Sequence, residues 1–211
     1  MMLSSQRTAL CDALDAVEES SPTLCDGWTA HSLAAHVWLR ENDPTAALGI
    51  VVPPWNRLTE QRMSDVVAER PYADLVADIR RGPARWSPFR LPGAEAAANT
   101  IEFFVHCEDV RRGTGVNTPR PTDPRFENLA WKRAIAMARL VLRKAPVAVW
   151  LERDVPPGDP VRIGKGPDIV TLSGPPSEIL LYLFGRRSAA QVEVTGQPAA
   201  VSALGRFELG V

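Results

Sequence analysis

The chain has 211 residues, a formal net charge of −1 and a pI of about 6.3, and 45% of its residues are hydrophobic. A chain of this length and apolar content can bury a core as one large domain or as two small ones. Its near-neutral charge gives no electrostatic basis for binding nucleic acid or an anionic membrane surface, so we expect neither partner. The three scattered cysteines and the absence of an apolar leader or spanning run predict a reduced, cytoplasmic protein.

Prolines and glycines separate the segments that have helical periodicity in the first two thirds of the chain. We predict helices over residues 3–19, 30–41, 57–68, 71–81, 94–112 and 126–144. A loop or short helix is expected over residues 43–55, and a proline-rich connection over residues 83–93. Thr29 stands where an N-cap is needed for the second of these helices.

The periodicity changes after Pro146, where short alternating segments become common. We predict strands over residues 147–151, 161–164, 168–172 and 191–195, with helices over residues 177–184 and 198–204. The predicted fold class is therefore α+β, with a helical bundle over residues 1–145 and a small α+β domain over residues 146–211.

The helical segment from Asn99 to Arg112 carries polar groups on an otherwise apolar circumference. At about 100° per residue, Glu102 and His106 lie one turn apart on one face, and Asp109 and Asn99 share that face. A helix that is apolar on most sides belongs in a core, where a carboxylate and an imidazole are costly unless they are paired. Coordination of a metal is one such pairing.

A third ligand for such a metal is available on the second predicted helix. The chain has only three histidines, and His31 points about 140° away from His36, so these two cannot both serve one site. Two imidazoles and the carboxylate of Glu102 leave a coordination position open, as in catalytic zinc sites, and they also suit Fe(II). The alternative is that Glu102 and His106 form an ordinary ion pair on the helix surface while His36 is a half-buried histidine.

Two motifs carry a resemblance to a known family. The run LCDGWTAHSLAAH at residues 24–36 and the run EFFVHCEDVRR at residues 102–112 resemble, in order and separation, motifs of the DinB-like, mycothiol-dependent maleylpyruvate isomerase superfamily. They look closest to an uncharacterised metal-binding subgroup. The resemblance implies an up-and-down four-helix bundle with a divalent metal, most often Zn²⁺, held by His36, Glu102 and His106. Cys107 stands where the subgroup often has a second histidine, but it lies about 140° around the helix from Glu102.

The C-terminal segment is also similar to this superfamily. Residues 169–186 resemble the small sterol-carrier-like domain that follows the bundle there. In the family an arginine near this helix holds an anionic substrate, which implies a substrate-binding role for Arg186 or its neighbour Arg187. The alternative is that both arginines are solvated cations at a helix end, where they suit the helix dipole.

Three further residues near the predicted ligands have open roles. Asp109 is interpreted as the acceptor of the second ring N–H of His106, with a fourth metal ligand or a partner of Arg112 as alternatives. Asn99 is expected to orient a ligand in a similar way. Arg40, one turn after His36, binds an anionic substrate, caps a buried acid or extends its stem to solvent.

The predicted function follows from the metal and from the resemblance. A cation favours the deprotonated form of a bound thiol, which is the nucleophile. We therefore expect a zinc-dependent S-transferase or maleylpyruvate isomerase-like enzyme that uses a low-molecular-weight thiol, by resemblance mycothiol, on a small electrophile. The alternative is a non-catalytic metal-binding bundle whose C-terminal domain binds a lipid or another ligand. A monomer or a homodimer is expected.

Overall fold

The computed structural model describes residues 2–43, 56–83, 94–154 and 158–209, without the side chains of residues 56–59 and 94–98. Contacts within the chain divide it into two compact units, Met1–Val116 and Asn117–Val211. The α+β class is confirmed, because the described part contains both helices and a four-stranded sheet. The loop or short helix expected over residues 44–55 and the connection expected over residues 84–93 lie outside the described residues.

Helices form the described part of the first unit. They are α1 (Met2–Asp15), α2 (Ala30–Asn42), α3 (Asn56–Glu69), α4 (Tyr72–Arg81) and α5 (Ala94–Gly113). The first helix ends at Asp15 instead of near Glu19, because the N–H of Val17 donates to the carbonyl of Leu14, only three residues back. Within the described ranges, no helix is long and apolar enough to cross a membrane.

Helix α5 supplies much of the core of the first unit. It packs along α1, while α4 packs against both α1 and α2. The apolar side chains that the structure describes on α5 from Ile101 onwards are removed from solvent, as expected for a helix that is apolar on most sides: Ile101, Phe103, Phe104, Val105, Cys107 and Val110. Phe103, Cys107 and Val110 belong to one core cluster with Leu10, Leu14, Leu33, Leu75 and Ile79. The polar face of α5 is thereby held in a fixed orientation.

The loop before α2 is pinned to the end of α5. Thr29 caps α2 as predicted, since its Oγ1 accepts the N–H of Ser32 at 3.3 Å. The N–H of Leu24 donates to the backbone carbonyl of Asp109 at 3.0 Å. A Cβ atom on Gly113 would lie only 2.4 Å from the Cα of Thr23, so only glycine lets the loop approach this closely.

The second unit combines helices with a mixed sheet. Its elements are α6 (Pro124–Val141), β1 (Ala148–Arg153), β2 (Val161–Ile163), β3 (Ile169–Gly174), α7 (Pro176–Leu183), β4 (Glu193–Gly196) and α8 (Pro198–Arg206). The strand order is β2-β1-β3-β4. The central pair β1 and β3 is parallel, with Val149 opposite Val170, and both outer pairs are antiparallel.

The structural division falls earlier in the chain than the division near Ala145 that the sequence predicts. Helix α6 groups with the sheet because it packs against α7. The buried carboxylate of Glu127 also accepts the N–H of Ser177 at 2.9 Å at the start of α7. The change from helical to strand periodicity marks the start of the sheet, but it does not show which unit α6 packs with.

Candidate metal centre

Side chains from α2 and α5 converge in the first unit. One nitrogen each from His36 and His106 and one carboxylate oxygen of Glu102 lie within 4.8 Å of one another. The Nε2 atom of His106 is 3.5 Å from Oε2 of Glu102, and the two imidazole rings meet edge to face with their centroids 5.2 Å apart. The structure thus brings together the three residues predicted to be ligands.

His36 is held in the neutral form. It is buried in the middle of α2, and the Trp28 ring packs on it with a centroid separation of 5.0 Å. Burial lowers the pKa of His36 to about 3, and the neighbouring His106 adds to this effect. A neutral imidazole keeps a lone pair on nitrogen, which is the form that coordinates a metal.

Glu102 is the most exposed of the three, with 27% of its side chain accessible. Burial acts to raise its pKa, but the hydrogen bond with His106 and the charges of His106 and Arg40 outweigh burial and lower the pKa to about 2. The carboxylate is therefore ionised at neutral pH, as a metal ligand must be.

Asp109 fixes the orientation of His106. Its Oδ2 atom lies 3.0 Å from Nδ1 of His106, and the carboxylate is fully buried. An ionised carboxylate only accepts, so Nδ1 carries the proton and Nε2 faces Glu102. Burial by itself lowers the pKa of His106, but the bonds with Asp109, Cys25 and Glu102 raise it well above the usual value. Arg112 pairs instead with Glu108, at 2.7 Å.

Cys25 belongs to this network, a role that helical periodicity does not predict for a loop residue. Its thiol donates to Oδ2 of Asp109 at 3.3 Å. Cys25, His106 and Asp109 form a second group whose possible ligand atoms lie within 4.8 Å. The hydrogen bonds within this second group already use the Nδ1–H of His106, whereas Nε2 is directed to the group with His36. The position of Cys25, beside the run Gly27-Trp28-Thr29 that caps α2, is the sequence signal that could have found it.

Arg40 and Asn99 lie beside the three candidate ligands. Nη1 of Arg40 is 3.8 Å from Oε1 of Glu102, and Nη2 donates to Oδ1 of Asn99 at 3.3 Å. The Nε atom of Arg40 is buried and has no hydrogen-bond partner in the structure described here. Asn99 was predicted to orient a ligand, and its observed contact is with Arg40 instead.

The structure places the remaining candidates elsewhere. Nε2 of His31 bonds to the carbonyl of Arg70 at 3.0 Å, consistent with its predicted separation from His36. Cys107 donates to the carbonyl of Ala9 on α1, at 3.4 Å.

The two candidate arginines of the second unit contact backbone carbonyls. Nη1 of Arg186 donates to the carbonyl of Phe184 at 2.5 Å. The guanidinium of Arg187 donates to carbonyls at the end of α8, those of Leu204, Gly205 and Phe207. Arg187 therefore closes the end of α8, whereas the alternative interpretation placed it as a solvated cation at the end of its own helix. The substrate-binding role of Arg186 stays a prediction.

A solved structure shares this architecture. The crystal structure of the mycothiol-dependent maleylpyruvate isomerase matches with a TM-score of 0.51 and 15% sequence identity, over 93% of this chain and 91% of that chain. The two proteins share a fold. No protein-family model matches the sequence, and no curated protein sequence does. At this identity the similarity shows the fold alone.

Proposed function

We propose that the protein holds a divalent metal, Zn²⁺, at His36, Glu102 and His106 and is a thiol-dependent S-transferase or isomerase. The observation that carries this proposal is the convergence of two imidazoles and one ionised carboxylate at the polar face of α5. The fold shared with a mycothiol-dependent isomerase supports mycothiol as the thiol and a small electrophile as the second substrate.

The donor set fits zinc. Two histidine nitrogens and one carboxylate oxygen are ligands typical of a catalytic zinc site, which keeps its fourth position for a substrate. In a tetrahedral site with bonds of about 2.0–2.1 Å, two ligand atoms are about 3.3 Å apart. The observed 3.5 Å between His106 and Glu102 is close to this separation.

The residues of the chain prepare the site for a thiol. A bound dication would supply the positive charge that favours the thiolate over the thiol. Asp109 holds one proton of His106 on Nδ1, so Nε2 is the nitrogen that would give up its proton and coordinate a bound metal. Burial of His36 and His106 keeps competing water away and strengthens electrostatic interactions within the site. The proton released by the thiol would pass to solvent, and the sulfur would then add to an unsaturated carbon of the small substrate as its π bond opens.

Elemental analysis of the purified protein tests the metal site. We expect close to one zinc per chain in the wild type and loss of zinc in His36→Ala, Glu102→Ala and His106→Ala. His31→Ala is the matched control, because this histidine bonds to the Arg70 carbonyl and should leave zinc in place. Equal metal content in all variants, or none in a folded wild type, would contradict the proposal.

The thiol dependence needs a separate assay. The zinc-loaded protein would be incubated with maleylpyruvate in the presence of mycothiol, of glutathione or of no thiol. We expect turnover only with a thiol, and faster turnover with mycothiol. Turnover of equal rate without any thiol would refute the thiol-dependent part of the proposal while leaving the metal site intact.

The alternative lipid-binding role of the second unit has less support. The apolar side chains of α7 that were expected to line a lipid pocket, Ile179, Leu180, Leu181 and Leu183, are completely buried. Helix α7 packs against β3 and α6. These side chains therefore stabilise the core of the second unit, as side chains that cover a sheet do.

A further inference from the structure

We propose that an exposed face of α6 is a docking surface for an anionic lipid membrane. This face, the α6 face, comprises exposed side chains of the helix and of the turn that follows it: Arg125, Lys132, Arg139, Leu140, Arg143 and Lys144. The inference concerns the second unit only. It is independent of the metal centre and of the thiol chemistry proposed above.

The net charge of −1 conceals an uneven distribution of charge along the chain. Residues 1–116 contain 11 basic and 16 acidic side chains, whereas residues 117–211 contain 13 basic and 9 acidic ones. Seven of these 13 basic side chains lie within residues 117–144, where only Asp123 and Glu127 are acidic. The near-neutral total, which led us to expect no anionic partner, therefore does not describe the surface of the second unit.

Helical spacing brings the cations of α6 to one side. At about 100° per residue, Lys132 and Arg139 lie within about 40° of the direction of Arg125. All three residues are exposed. Glu127, the only acid of this helix, points the opposite way: it is buried, and its carboxylate accepts the N–H of Ser177. The α6 face therefore carries positive charge that no acid of its own helix neutralises.

Local electrostatics does not account for these cations. An exposed arginine of the first unit, Arg80, pairs with Asp12 at 2.9 Å. Lys132 and Arg139, by contrast, have no ion pair with any side chain in the part of the chain that the structure describes. The dipole of α6 stabilises Arg139 in the last turn, but it disfavours Arg125 in the first turn, where acids are preferred. An anionic partner would stabilise the cations at both ends of the helix.

Leu140 distinguishes a lipid surface from other polyanions. It is 61% exposed and lies about 60° around the helix from Arg125, on the same side. An exposed leucine gains nothing from the phosphates of a nucleic acid. At a membrane it can enter the boundary between headgroups and acyl chains while the cations stay among the phosphates. The aromatic residues of α6, Phe126 and Trp131, are buried, so neither offers a base a stacking surface.

Sedimentation of the protein with vesicles tests the proposal. The vesicles contain phosphatidylcholine alone or equal parts of phosphatidylcholine and phosphatidylglycerol, and each titration is repeated with added sodium chloride. The variants are Lys132→Gln/Arg139→Gln and Leu140→Gln. Lys165→Gln/Arg206→Gln is the matched control, because it removes the same charge from exposed positions elsewhere in the second unit. All the replaced side chains are exposed, so the variants are expected to fold, which circular dichroism checks.

We expect the wild type to sediment with the anionic vesicles and not with phosphatidylcholine alone, and added salt should reduce its binding. Each cation at an anionic membrane surface is worth about fivefold in the partition coefficient. Lys132→Gln/Arg139→Gln should therefore bind about 25-fold more weakly than the wild type. Leu140→Gln should also bind more weakly, at unchanged charge, and the control should bind as the wild type does.

Two results would overturn the docking surface: no sedimentation of the wild type with anionic vesicles, or equal partition coefficients for the two double variants. A Leu140→Gln protein that binds like the wild type would contradict the insertion of this side chain. Binding of a fluorescent DNA duplex without binding of vesicles would assign the α6 face to nucleic acid and refute the membrane.

Discussion

The thiol of Cys25 donates to Oδ2 of Asp109 at 3.3 Å, across 84 residues of sequence. The same oxygen lies 3.0 Å from Nδ1 of His106, so one carboxylate joins the loop before α2 to the imidazole of α5. The backbone repeats this connection, because the N–H of Leu24 donates to the carbonyl of Asp109 at 3.0 Å. The orientation of His106 is therefore coupled to the position of a loop on another part of the chain.

Replacing Asp109 with asparagine should weaken zinc binding. The amide can offer an N–H to Nδ1 of His106, which favours the tautomer whose Nε2 carries the proton and cannot coordinate. Loss of such a partner costs about 10–100-fold in metal affinity, and we expect Asp109→Asn to fall in this range. Competition with a chromophoric chelator measures the dissociation constant.

Asp26→Asn is the control for this change, since Asp26 is exposed on the same loop. It should bind zinc as the wild type does. An Asp109→Asn protein with unchanged zinc affinity would show that the tautomer of His106 is set by something other than this carboxylate.

Cys25→Ala should weaken zinc binding by less than Asp109→Asn does. It removes one donor to the carboxylate but leaves the contact between Asp109 and His106 in place. Cys25→Ser keeps a hydroxyl donor, so its dissociation constant for zinc in the same chelator competition should be closer to that of the wild type. Equal losses in the alanine and serine variants would indicate that the volume of the sulfur matters and that its hydrogen bond does not.

The sequence predicts the ligand cluster because one helix carries most of it. Glu102, His106 and Asp109 share a face through helical spacing alone, and the scarcity of histidines leaves His36 as the partner. The same spacing separates His31 from the site, and the structure confirms it. Periodicity fixes relations within a helix, so these parts could be predicted without tertiary information.

Contacts between distant segments of the chain could not be predicted from the periodicity of single helices. Cys25 lies in a loop, where no periodicity states the direction of a side chain. The assignment of α6 to the second unit depends on which helix its apolar face meets, and several partners satisfy an apolar face equally well. Arg40 shows the same limit, since its place on α2 was known, but its hydrogen bond with Asn99 on α5 depends on the tertiary structure.

Gly113→Ala should destabilise the first unit. An added Cβ would lie 2.4 Å from the Cα of Thr23 and 2.5 Å from the carbonyl oxygen of Pro22, and both are backbone atoms that a rotamer change cannot move. Overpacking of this kind costs about 1–3 kcal/mol, which urea unfolding at neutral pH would detect. Gly205→Ala is the control, because its Cβ would meet no atom within 4 Å. If the two variants were equally stable, the loop would be freer to move than its contacts indicate.

Stability should fall at alkaline pH because of two groups near α1. Burial raises the pKa of the Cys11 thiol from 9.0 to about 11, and burial also raises that of Tyr72, whose hydroxyl donates to the carbonyl of Leu14 at 2.7 Å. In the unfolded chain both groups lose their protons at lower pH than in the folded chain. The contribution of these groups to the free energy of unfolding is therefore fully present below about pH 9, and it declines as the pH rises above that value.

Urea unfolding between pH 7.5 and 10.5 measures this decline. In Cys11→Ala, the fall in the free energy of unfolding that begins near pH 9 should be absent. The variant should also be less stable than the wild type at neutral pH, because it lacks the buried sulfur. Tyr72→Phe should lose about 1 kcal/mol at pH 7.5, with its hydrogen bond, and decline less steeply above pH 10. Parallel curves for the wild type and both variants would exclude these two groups as the cause.

Removing one partner of the ion pair between Arg7 and Glu41 should destabilise the protein more than removing one partner of a surface ion pair. Glu41 is almost fully buried, and both of its oxygens accept from Arg7, which also stacks on the ring of Phe103 at 4.6 Å. Removing one partner leaves a buried charge without its counter-ion, at a cost of about 3–5 kcal/mol. We expect Arg7→Met and Glu41→Leu each to show a loss of this order in urea unfolding.

The double variant Arg7→Met/Glu41→Leu separates the value of the pair from the cost of an orphaned charge. It should be more stable than Arg7→Met alone, because apolar side chains of similar volume avoid the desolvation of two ions. Arg80→Met, which removes exposed pairs with Asp12 and Asp15, should cost no more than about 1 kcal/mol. A double variant that loses the full sum of both single losses would mean that the two side chains stabilise α1 and α2 independently, through packing and not through their shared charge.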